Sequence, residues 1–401
     1  MIRTDHGGLR CSFCLLTTRP GETAIDDPER VVSICADCLA SCEALVASDP
    51  EQALPRPMQL KARLDRHVIG QERAKKQLAV AVYNHYKRSS LSNSDLELGK
   101  SNVLLIGPTG TGKTHLVRSL ARLLDVPLHI GDATALTEAG YVGEDVESLL
   151  AGLLRAADDD LVRAQRGILY VDEIDKLAGR SGSSAHDGRD VGGEGVQQAL
   201  LRLIEGSEVE VRIEGQGSKA RKVTFDTSGV LVICGGAFVG LRELVERRLA
   251  TRAMGFRSHQ RANGPEPDPL FRVLPADLHQ YGLIPEFTGR LPVLATLESL
   301  DEQALVAILT EPKGALVRQY QRLFRMDGLR LQFTAGALRA VARECLGEGT
   351  GARGLRAALE RVLLEPMFDL PGRDDVEDVW ITEGTVSGGL PAELRLRSET
   401  G

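Results

Sequence analysis

The sequence indicates an α/β protein with a small N-terminal cysteine module and a mainly helical C-terminal domain. Apolar runs such as Val103–Ile106 and residues 167–171 resemble buried parallel strands, and stretches of helical spacing alternate with them. Beyond residue 300, apolar side chains recur at helical spacing in successive stripes. A chain of 401 residues is too long for one ordinary core, so we expect two or three domains.

Charge and hydropathy restrict the class of function. The chain has 49 basic and 56 acidic residues, a net charge of −7, which argues against a protein that coats duplex nucleic acid. No apolar run is long enough to span a bilayer, and the first residues contain no signal-peptide core. We therefore expect a cytoplasmic protein without membrane contacts.

Two Cys-x-x-Cys pairs near the N-terminus have the spacing of a tetrahedral metal site. They are Cys11 with Cys14 and Cys35 with Cys38, with 20 residues between the pairs. Thiolates in this pattern favour Zn²⁺; paired disulfides are the alternative, which a reducing compartment disfavours. Phe13 is the only aromatic residue of the module, so stacking on bases is not expected. The module is instead expected to dock partners or to dimerise.

Residues 107–114, Gly-Pro-Thr-Gly-Thr-Gly-Lys-Thr, follow the apolar run Val103–Ile106 and precede a helical pattern. Strand, glycine-rich turn and helix in this order are typical of a phosphate-binding P-loop. Its backbone N–H groups converge on phosphate oxygens, Lys113 reaches the β- and γ-phosphates, and Thr114 can hold Mg²⁺. A strand–helix turn without a ligand fits less well, because motif and context agree.

The apolar run at residues 167–171 ends in two carboxylates, Asp172 and Glu173. After a P-loop, this pattern is typical of a Walker B strand. Asp172 is expected to help coordinate Mg²⁺ through water, and Glu173 to polarise the attacking water.

Four weaker signals leave alternatives open. Residues 67–71 interrupt a helical pattern and either pack on an adenine ring or form a helix–helix turn. The pair Tyr141–Val142, between two glycines, either grips polypeptide or packs locally. Arg290 is either an arginine finger or an ordinary surface residue. Arg353 precedes a helix, where the dipole disfavours a cation unless an anion lies nearby.

Together these segments resemble the ClpX family, ATP-dependent protein unfoldases that feed the ClpP peptidase. The resemblance runs from Cys11 to about residue 385. The matching segments are CSFC…CADC, HVIGQERAKKQLAVAVYNHYKR, GPTGTGKT, TEAGYVGEDVES, RGILYVDEIDK, GEGVQQALLRLIEG, GLIPEFTGRLP and GARGLR.

The resemblance implies a ring-shaped AAA+ homo-hexamer with defined sites. The implied catalytic residues are Lys113, Asp172, Glu173, Arg290 as a finger acting in trans, and Arg353 as a second sensor. The implied nucleotide contacts are Val68, Ile69, Gly107, Pro108, Thr109, Gly110, Thr111, Gly112, Lys113, Thr114 and His115. The implied pore loops carry Tyr141, Val142 and Arg189, and the zinc ligands are Cys11, Cys14, Cys35 and Cys38.

The resemblance also implies cofactors, partners and domains. The cofactors are ATP, Mg²⁺ and Zn²⁺, and the partners are protein substrates, adaptors and a ClpP-type peptidase, because no protease triad is evident in the chain. The expected parts are a zinc module at residues 1–48, a linker at 49–60, a large ATPase domain at 61–296, a small domain at 297–385 and a polar tail at 386–401.

Two departures from the family pattern bear on partners. The basic Arg-Lys-His loop is not visible, since residues 215–222 offer only Lys219, Arg221 and Lys222. The peptidase-docking tripeptide Ile-Gly-Phe appears as Met254-Gly255-Phe256; Met is an apolar substitute, so we expect altered docking. The alternatives are a remodelling chaperone without a peptidase and an ATPase that uses the zinc module on nucleic acid.

Overall fold

The computed structural model describes residues 2–4, 11–12, 24–27, 32–36, 38–39, 54–89, 99–137, 145–179, 193–213, 221–253 and 268–397. The chain divides into two compact units, Met1–Pro55 and Arg56–Gly401. No helix in these ranges combines the length and the apolar character that a membrane crossing requires.

The smaller unit contains a three-stranded antiparallel sheet in the order β1-β2-β3, formed by β1 (Ile2–Thr4), β2 (Ala24–Asp27) and β3 (Val32–Cys35). Cys35 is the last residue of β3, which places the second cysteine pair at the end of a strand. Strands this short bury little apolar surface, so a unit of this size gains from a bound metal.

The larger unit contains the remaining described strands and the α-helices given below. The strands are β4 (Val103–Ile106), β5 (Leu128–Asp132), β6 (Ile168–Asp172), β7 (Glu208–Ile213), β8 (Arg221–Asp226), β9 (Leu231–Gly236), β10 (Val293–Thr296), β11 (Arg330–Phe333), β12 (Val376–Ile381) and β13 (Glu393–Leu396). The α-helices are α1 (Pro57–Asp65), α2 (Glu72–Ser89), α3 (Lys113–Leu124), α4 (Val146–Ala156), α5 (Leu161–Ala164), α6 (Gly193–Glu205), α7 (Leu241–Ala253), α8 (Pro275–Tyr281), α9 (Pro285–Gly289), α10 (Glu302–Thr310), α11 (Leu316–Met326), α12 (Ala335–Gly347), α13 (Leu355–Asp369) and α14 (Glu383–Ser387).

The central sheet of the large domain is parallel, with the strand order β10-β4-β9-β6-β5. Successive side chains of β4 belong to different cores: Leu104 and Ile106 pack with α4 and α6, whereas Val103 and Leu105 pack with α1, α2 and α3. Because both faces are covered, the strands are continuously apolar rather than alternating. The carboxyl ends of β4, β9 and β6 lie at one edge, where ligands of such sheets bind.

The small domain has its own core and begins after β10. Helices α10 to α13 enclose buried side chains that include Leu305, Tyr320, Val341 and Leu359, together with Val379 of β12. Strand β11 pairs parallel with β12, and β12 pairs antiparallel with β13. A second structural domain therefore follows the ATPase core.

Part of residues 386–401, which were expected to form a polar tail, forms a strand. Residues Glu393–Leu396 form β13, and Arg397 extends the contact by donating its backbone N–H to Asp375 O at 2.9 Å. Leu394 and Leu396 alternate with Glu393 and Arg395, but all four side chains of β13 are exposed, so burial of apolar side chains does not hold the strand in place. Backbone pairing with the edge of β12 orders it instead.

The expected linker at residues 49–60 is also too long. Helix α1 begins at Pro57, which occupies its first turn, where a missing N–H costs nothing. Leu60 and Leu64 of α1 are fully buried in the large domain. The folded large domain therefore begins before the expected boundary at residue 61.

Candidate active site

A cleft of about 890 Å³ lies between the large and small domains. The large domain contributes the turn at residues 67–69, the P-loop and the end of β6, and the small domain contributes residues of α10, α11 and the segment before α13. The predicted residues that line it are Val68, Ile69, Thr109, Gly110, Thr111, Gly112, Lys113, Thr114, His115, Asp172, Glu173 and Arg353. Most of the predicted nucleotide site is thus gathered in one place.

Close neighbours favour glycine at Gly107 and Gly110 of the P-loop. At Gly107 an added Cβ would lie 2.8 Å from Leu297 O, so close packing against the segment that follows β10 excludes a side chain. At Gly110 the backbone has φ +79°, and an added Cβ would lie 2.5 Å from Thr350 O. A left-handed conformation and a close backbone neighbour both favour glycine there. Helix α3 begins at Lys113 with its free N–H groups at the loop, a setting that binds phosphate.

The ammonium group of Lys113 is held inside the loop. Its Nζ donates to Gly107 O at 2.6 Å and to Pro108 O at 3.0 Å. Burial lowers the pKa of Lys113, and the nearby carboxylates of Asp172 and Asp175 oppose that shift. A buried cation on the axis of the loop is suited to phosphate oxygens.

Asp172 is held by three hydrogen bonds at the end of β6. Thr114 Oγ1 donates to Asp172 Oδ2 at 2.9 Å. Tyr170 OH and the backbone N–H of Glu173 each donate to Asp172 Oδ1 at 3.0 Å. A threonine hydroxyl and a carboxylate at this distance are oxygen ligands of the kind that Mg²⁺ prefers.

Glu173 has a left-handed backbone, with φ +57°, which is uncommon for a residue other than glycine. Its backbone N–H is used by Asp172, whereas its side chain is exposed in the cleft. A strained residue at such a position is typical of functional sites. The geometry leaves the Glu173 carboxylate available to a water molecule in the cleft.

Sequence reasoning gave Asp175 no role, although the structure places it in the site. Its carboxylate is buried and accepts from the backbone N–H of Ala237 and of Phe238, both at 3.2 Å. Phe238 has φ +52°, and an added Cβ at Gly236 would lie 2.6 Å from Asp175 Oδ1. Asp175 therefore fixes the turn after β9, which lines the cleft. The pair Gly-Gly at the end of an apolar run was the available signal.

An apolar pocket lies beside the P-loop. Val68 is 5% exposed, and its carbonyl accepts from Lys75 Nζ at 3.2 Å. Lys75 is itself buried and paired with Asp65 and Glu72. The neighbouring Ile69 lines the same pocket, opposite apolar residues of α10 and α11. The turn predicted to contact adenine therefore lies where a base adjoining the phosphates would fit.

The small domain reaches the P-loop directly. The backbone N–H of Ala352 donates to Gly110 O at 3.2 Å. Arg353, in the short 3-10 helix Gly351–Arg353, lines the cleft, and its charge contributes to lowering the pKa of Lys113. The predicted second-sensor arginine thus lies in the same cleft as Lys113.

Arg290 is not among the residues that line this cleft. It ends the segment after α9, its side chain is 58% exposed, and it pairs with Glu205 at 3.0 Å. Arg290 could therefore contact a bound nucleotide only in a second copy of the chain. Its role as a finger in trans remains a prediction.

Three predicted metal ligands are brought together in the N-terminal unit. The sulfur atoms of Cys11, Cys35 and Cys38 lie within 4.8 Å of one another. Three cysteine sulfurs at this separation fit a metal with soft-ligand preference such as Zn²⁺. Seven other predicted site residues lie outside the described part of the chain: Cys14, Tyr141, Val142, Arg189, Met254, Gly255 and Phe256.

Comparison with known families matches both domains of the larger unit. Residues 99–294 match the family described as AAA domain (Cdc48 subfamily). Residues 300–381 match the family described as the C-terminal, D2-small domain of ClpB protein. The first match ends within β10 and the second begins just after it, close to where the small domain begins in the structure.

Two curated relatives match nearly the whole chain. It is 47% identical, over its full length and 96% of the relative, to the ATP-dependent Clp protease ATP-binding subunit ClpX 3 of Methylococcus capsulatus. It is also 47% identical to the ATP-dependent Clp protease ATP-binding subunit ClpX 2 of Wolinella succinogenes, over 96% of the chain and 97% of the relative. With a P-loop, a Walker B strand and a small domain around one cleft, the chain belongs to the ClpX family of AAA+ ATPases.

Proposed function

We propose that the chain is an ATP-driven protein unfoldase that works as a ring of six copies and delivers its substrates to a ClpP-type peptidase. The names of the two relatives support the link to a Clp protease. The observation that carries the proposal is the contact of both domains with one P-loop, through the bond between Ala352 and Gly110. Because of it, a change at the bound phosphates can alter the angle between the domains.

The residues of the cleft have distinct proposed roles. ATP with Mg²⁺ supplies the phosphoanhydride whose hydrolysis provides free energy. Lys113 and the N–H groups at the start of α3 neutralise phosphate charge. Thr114 and Asp172 would hold the metal ion, and Glu173 accepts a proton from, or orients, the attacking water. Val68 and Ile69 contact the base.

Two arginines complete the proposed site from different directions. Arg353 comes from the small domain of the same copy and lies near Lys113. Arg290, exposed outside its own cleft, is proposed to reach the γ-phosphate in the neighbouring copy. Hydrolysis followed by release of the phosphate would therefore remove negative charge that contacts both the small domain and the neighbouring copy.

The domain rotation is proposed to move the pore loops. Tyr141 and Val142, with Arg189 in a second loop, would line the ring and grip the polypeptide. An aromatic ring provides a large contact area at low entropic cost, which suits substrates of varied sequence. Repeated cycles would pull the substrate against the ring until it unfolds.

The N-terminal module is proposed to bind Zn²⁺ through Cys11, Cys14, Cys35 and Cys38. The clustering of three of these sulfurs within 4.8 Å supports this proposal. Metal binding would supply most of the folding free energy of a unit with such short strands. The folded module would then dimerise and receive substrates or adaptors.

Peptidase docking is proposed to use Met254, Gly255 and Phe256. Met keeps the apolar character of the position while changing its shape, so affinity for a given peptidase is expected to differ. The same substitution favours the second candidate function, a remodelling chaperone that releases unfolded protein without a peptidase.

The experiment that tests the unfoldase proposal replaces Tyr141 with Ala. Tyr141→Ala should lower the number of stable reporter molecules unfolded per ATP hydrolysed by at least about tenfold, a ratio that corresponds to about 1.4 kcal/mol. Tyr141→Phe, which keeps the ring, should remain close to the parent. Unfolding of a tagged fluorescent protein by Tyr141→Ala at the parental efficiency would overturn the proposal.

A further inference from the structure

Gln71 has an unusual backbone and a buried side chain. Its φ is +58°, directly after Gly70 at +64°, and it is 5% exposed. A left-handed backbone at a residue other than glycine and a buried primary amide are both unfavourable unless specific partners compensate. The position therefore needs an explanation beyond a turn between α1 and α2.

The amide group of Gln71 makes a two-way hydrogen bond with one residue far along the chain. Its Oε1 accepts from Glu298 N at 2.8 Å, and its Nε2 donates to Glu298 O at 2.8 Å. The same Nε2 lies 3.5 Å from Thr111 O in the P-loop. The side chain thus imitates the paired bonds of a neighbouring strand and links the P-loop to the segment that joins the two domains.

The segment that joins the two domains, residues 297–301, is held by hydrogen bonds at its first two residues. Leu297 N donates to Ile106 O at 2.7 Å, and Glu298 is held by Gln71. In the ranges that the structure describes, neither Ser299 nor Leu300 makes a hydrogen bond. Regular structure resumes at α10, which Asp301 caps through Ala304 N at 2.7 Å.

We infer that Gln71 is a positioning residue that anchors the interdomain connection at Glu298 to the P-loop, so that the pivot between the domains lies between Glu298 and Asp301. Gln71 touches no reacting atom. Without this anchor, flexing of the connection would absorb movement of the P-loop. With the anchor, the small domain rotates when the P-loop moves. This inference rests on the proposed function and names a residue through which hydrolysis is coupled to movement.

The first test replaces Gln71 with Glu and follows coupling against pH. An ionised carboxylate still accepts from Glu298 N, but it has no proton for Glu298 O and it faces the oxygens of Glu298 and Thr111. At pH 8, Gln71→Glu should unfold at least about tenfold fewer reporter molecules per ATP than the parent. Burial raises the pKa of a carboxyl group, so towards pH 6 the protonated side chain should donate to Glu298 O and recover coupling.

The chain offers a control substitution of the same kind on α2, the helix that follows Gln71. Gln77 of α2 donates to Leu294 O of β10 at 3.0 Å, away from the joining segment. Gln77→Glu makes the same chemical change, and its coupling should match the parent at both pH values. Parental coupling of Gln71→Glu at pH 8, or a loss in a folded ring that no lowering of pH relieves, would overturn the inference.

A second measurement remains informative even if the chain does not unfold proteins. Labels at the exposed residues Arg118 and Arg339, introduced as unnatural amino acids, report the distance between the large and small domains. With nucleotide bound, Gln71→Ala should broaden this distance distribution, whereas Gln77→Ala should leave it narrow. Equal widths would refute the anchoring role of Gln71, and a failure of the parent to unfold reporters would count only against the proposed function.

Discussion

At the scale of single residues, the site depends on how one backbone turn arranges two acids. The backbone N–H of Glu173, a residue with a left-handed φ, donates to Asp172 Oδ1, while Asp172 Oδ2 accepts from the hydroxyl of Thr114. Consecutive carboxylates thereby obtain different environments. Asp172 is satisfied by hydrogen bonds and suited to a metal ion, whereas the exposed Glu173 is suited to water.

Replacement of Glu173 by Gln should separate binding from hydrolysis. The amide keeps the size of the side chain but cannot accept a proton, so kcat should fall by roughly 10²–10⁴-fold while nucleotide binding persists. Single-turnover hydrolysis and equilibrium nucleotide binding measure the two quantities. Glu246→Gln, at an exposed position of α7, should change neither. Hydrolysis by Glu173→Gln at the parental rate would refute the assignment of the base.

At the scale of secondary-structure elements, the small domain is completed by a strand whose side chains are all exposed. Strand β13 pairs with β12 between Val376 and Trp380, and Arg397 donates to Gly328 O at 2.9 Å. Neighbouring Val376 and Val379 are fully buried. The strand therefore covers the free edge of β12, a strand that also contributes side chains to the core.

Removal of β13 should destabilise the small domain. Truncation after Pro391 deletes the strand and should lower the free energy of unfolding by about 1–3 kcal/mol, from several lost backbone hydrogen bonds. Truncation after Arg397 keeps the strand and serves as the control, with no change expected. Denaturant unfolding followed by circular dichroism compares the two. Equal stability of both truncations would contradict a structural role for β13.

At the scale of the whole molecule, the proposed active site is shared between copies. Each cleft contains Lys113, Asp172, Glu173 and Arg353 of its own chain, but Arg290 is exposed elsewhere and paired with Glu205. A ring with closed symmetry would give every copy the same neighbour, so one exposed arginine per chain could complete every site.

Mixing two inactive variants should restore hydrolysis if Arg290 acts in trans. In a ring of Glu173→Gln and Arg290→Ala copies, an Arg290→Ala copy retains its base and can receive the arginine of a Glu173→Gln neighbour. Random mixing in equal amounts should complete about a quarter of the sites in a cyclic ring. The control mixes Glu173→Gln with the double variant, which completes none. If the first mixture hydrolyses no more ATP than the control, Arg290 does not act between copies.

The local part of the site could be predicted from the sequence because its chemistry is contiguous. Residues 107–114 follow a buried strand and precede a helix, and Asp172 and Glu173 end another strand; the structure places all of them at one edge of the sheet. Apolar periodicity and glycine placement determine such units within a few residues. The cysteine spacing likewise indicated a cluster, and three of the four sulfurs are described together.

Only the tertiary structure decided which distant groups meet. Gln71 bonds to Glu298, Gly110 to Ala352, and Asp175 to Phe238, and none of these pairs leaves a periodic trace in the sequence. Strand β13 was missed although Leu394 and Leu396 alternate with charged residues, because four residues of alternation are a weak signal and pairing with β12 is decided only in the folded chain. Hydropathy patterns record which residues leave water, whereas hydrogen bonds between separate segments form only when packing brings those segments together. The sequence therefore determined the chemistry of the nucleotide loop, and the packed domains determined how that loop is connected to the rest of the molecule.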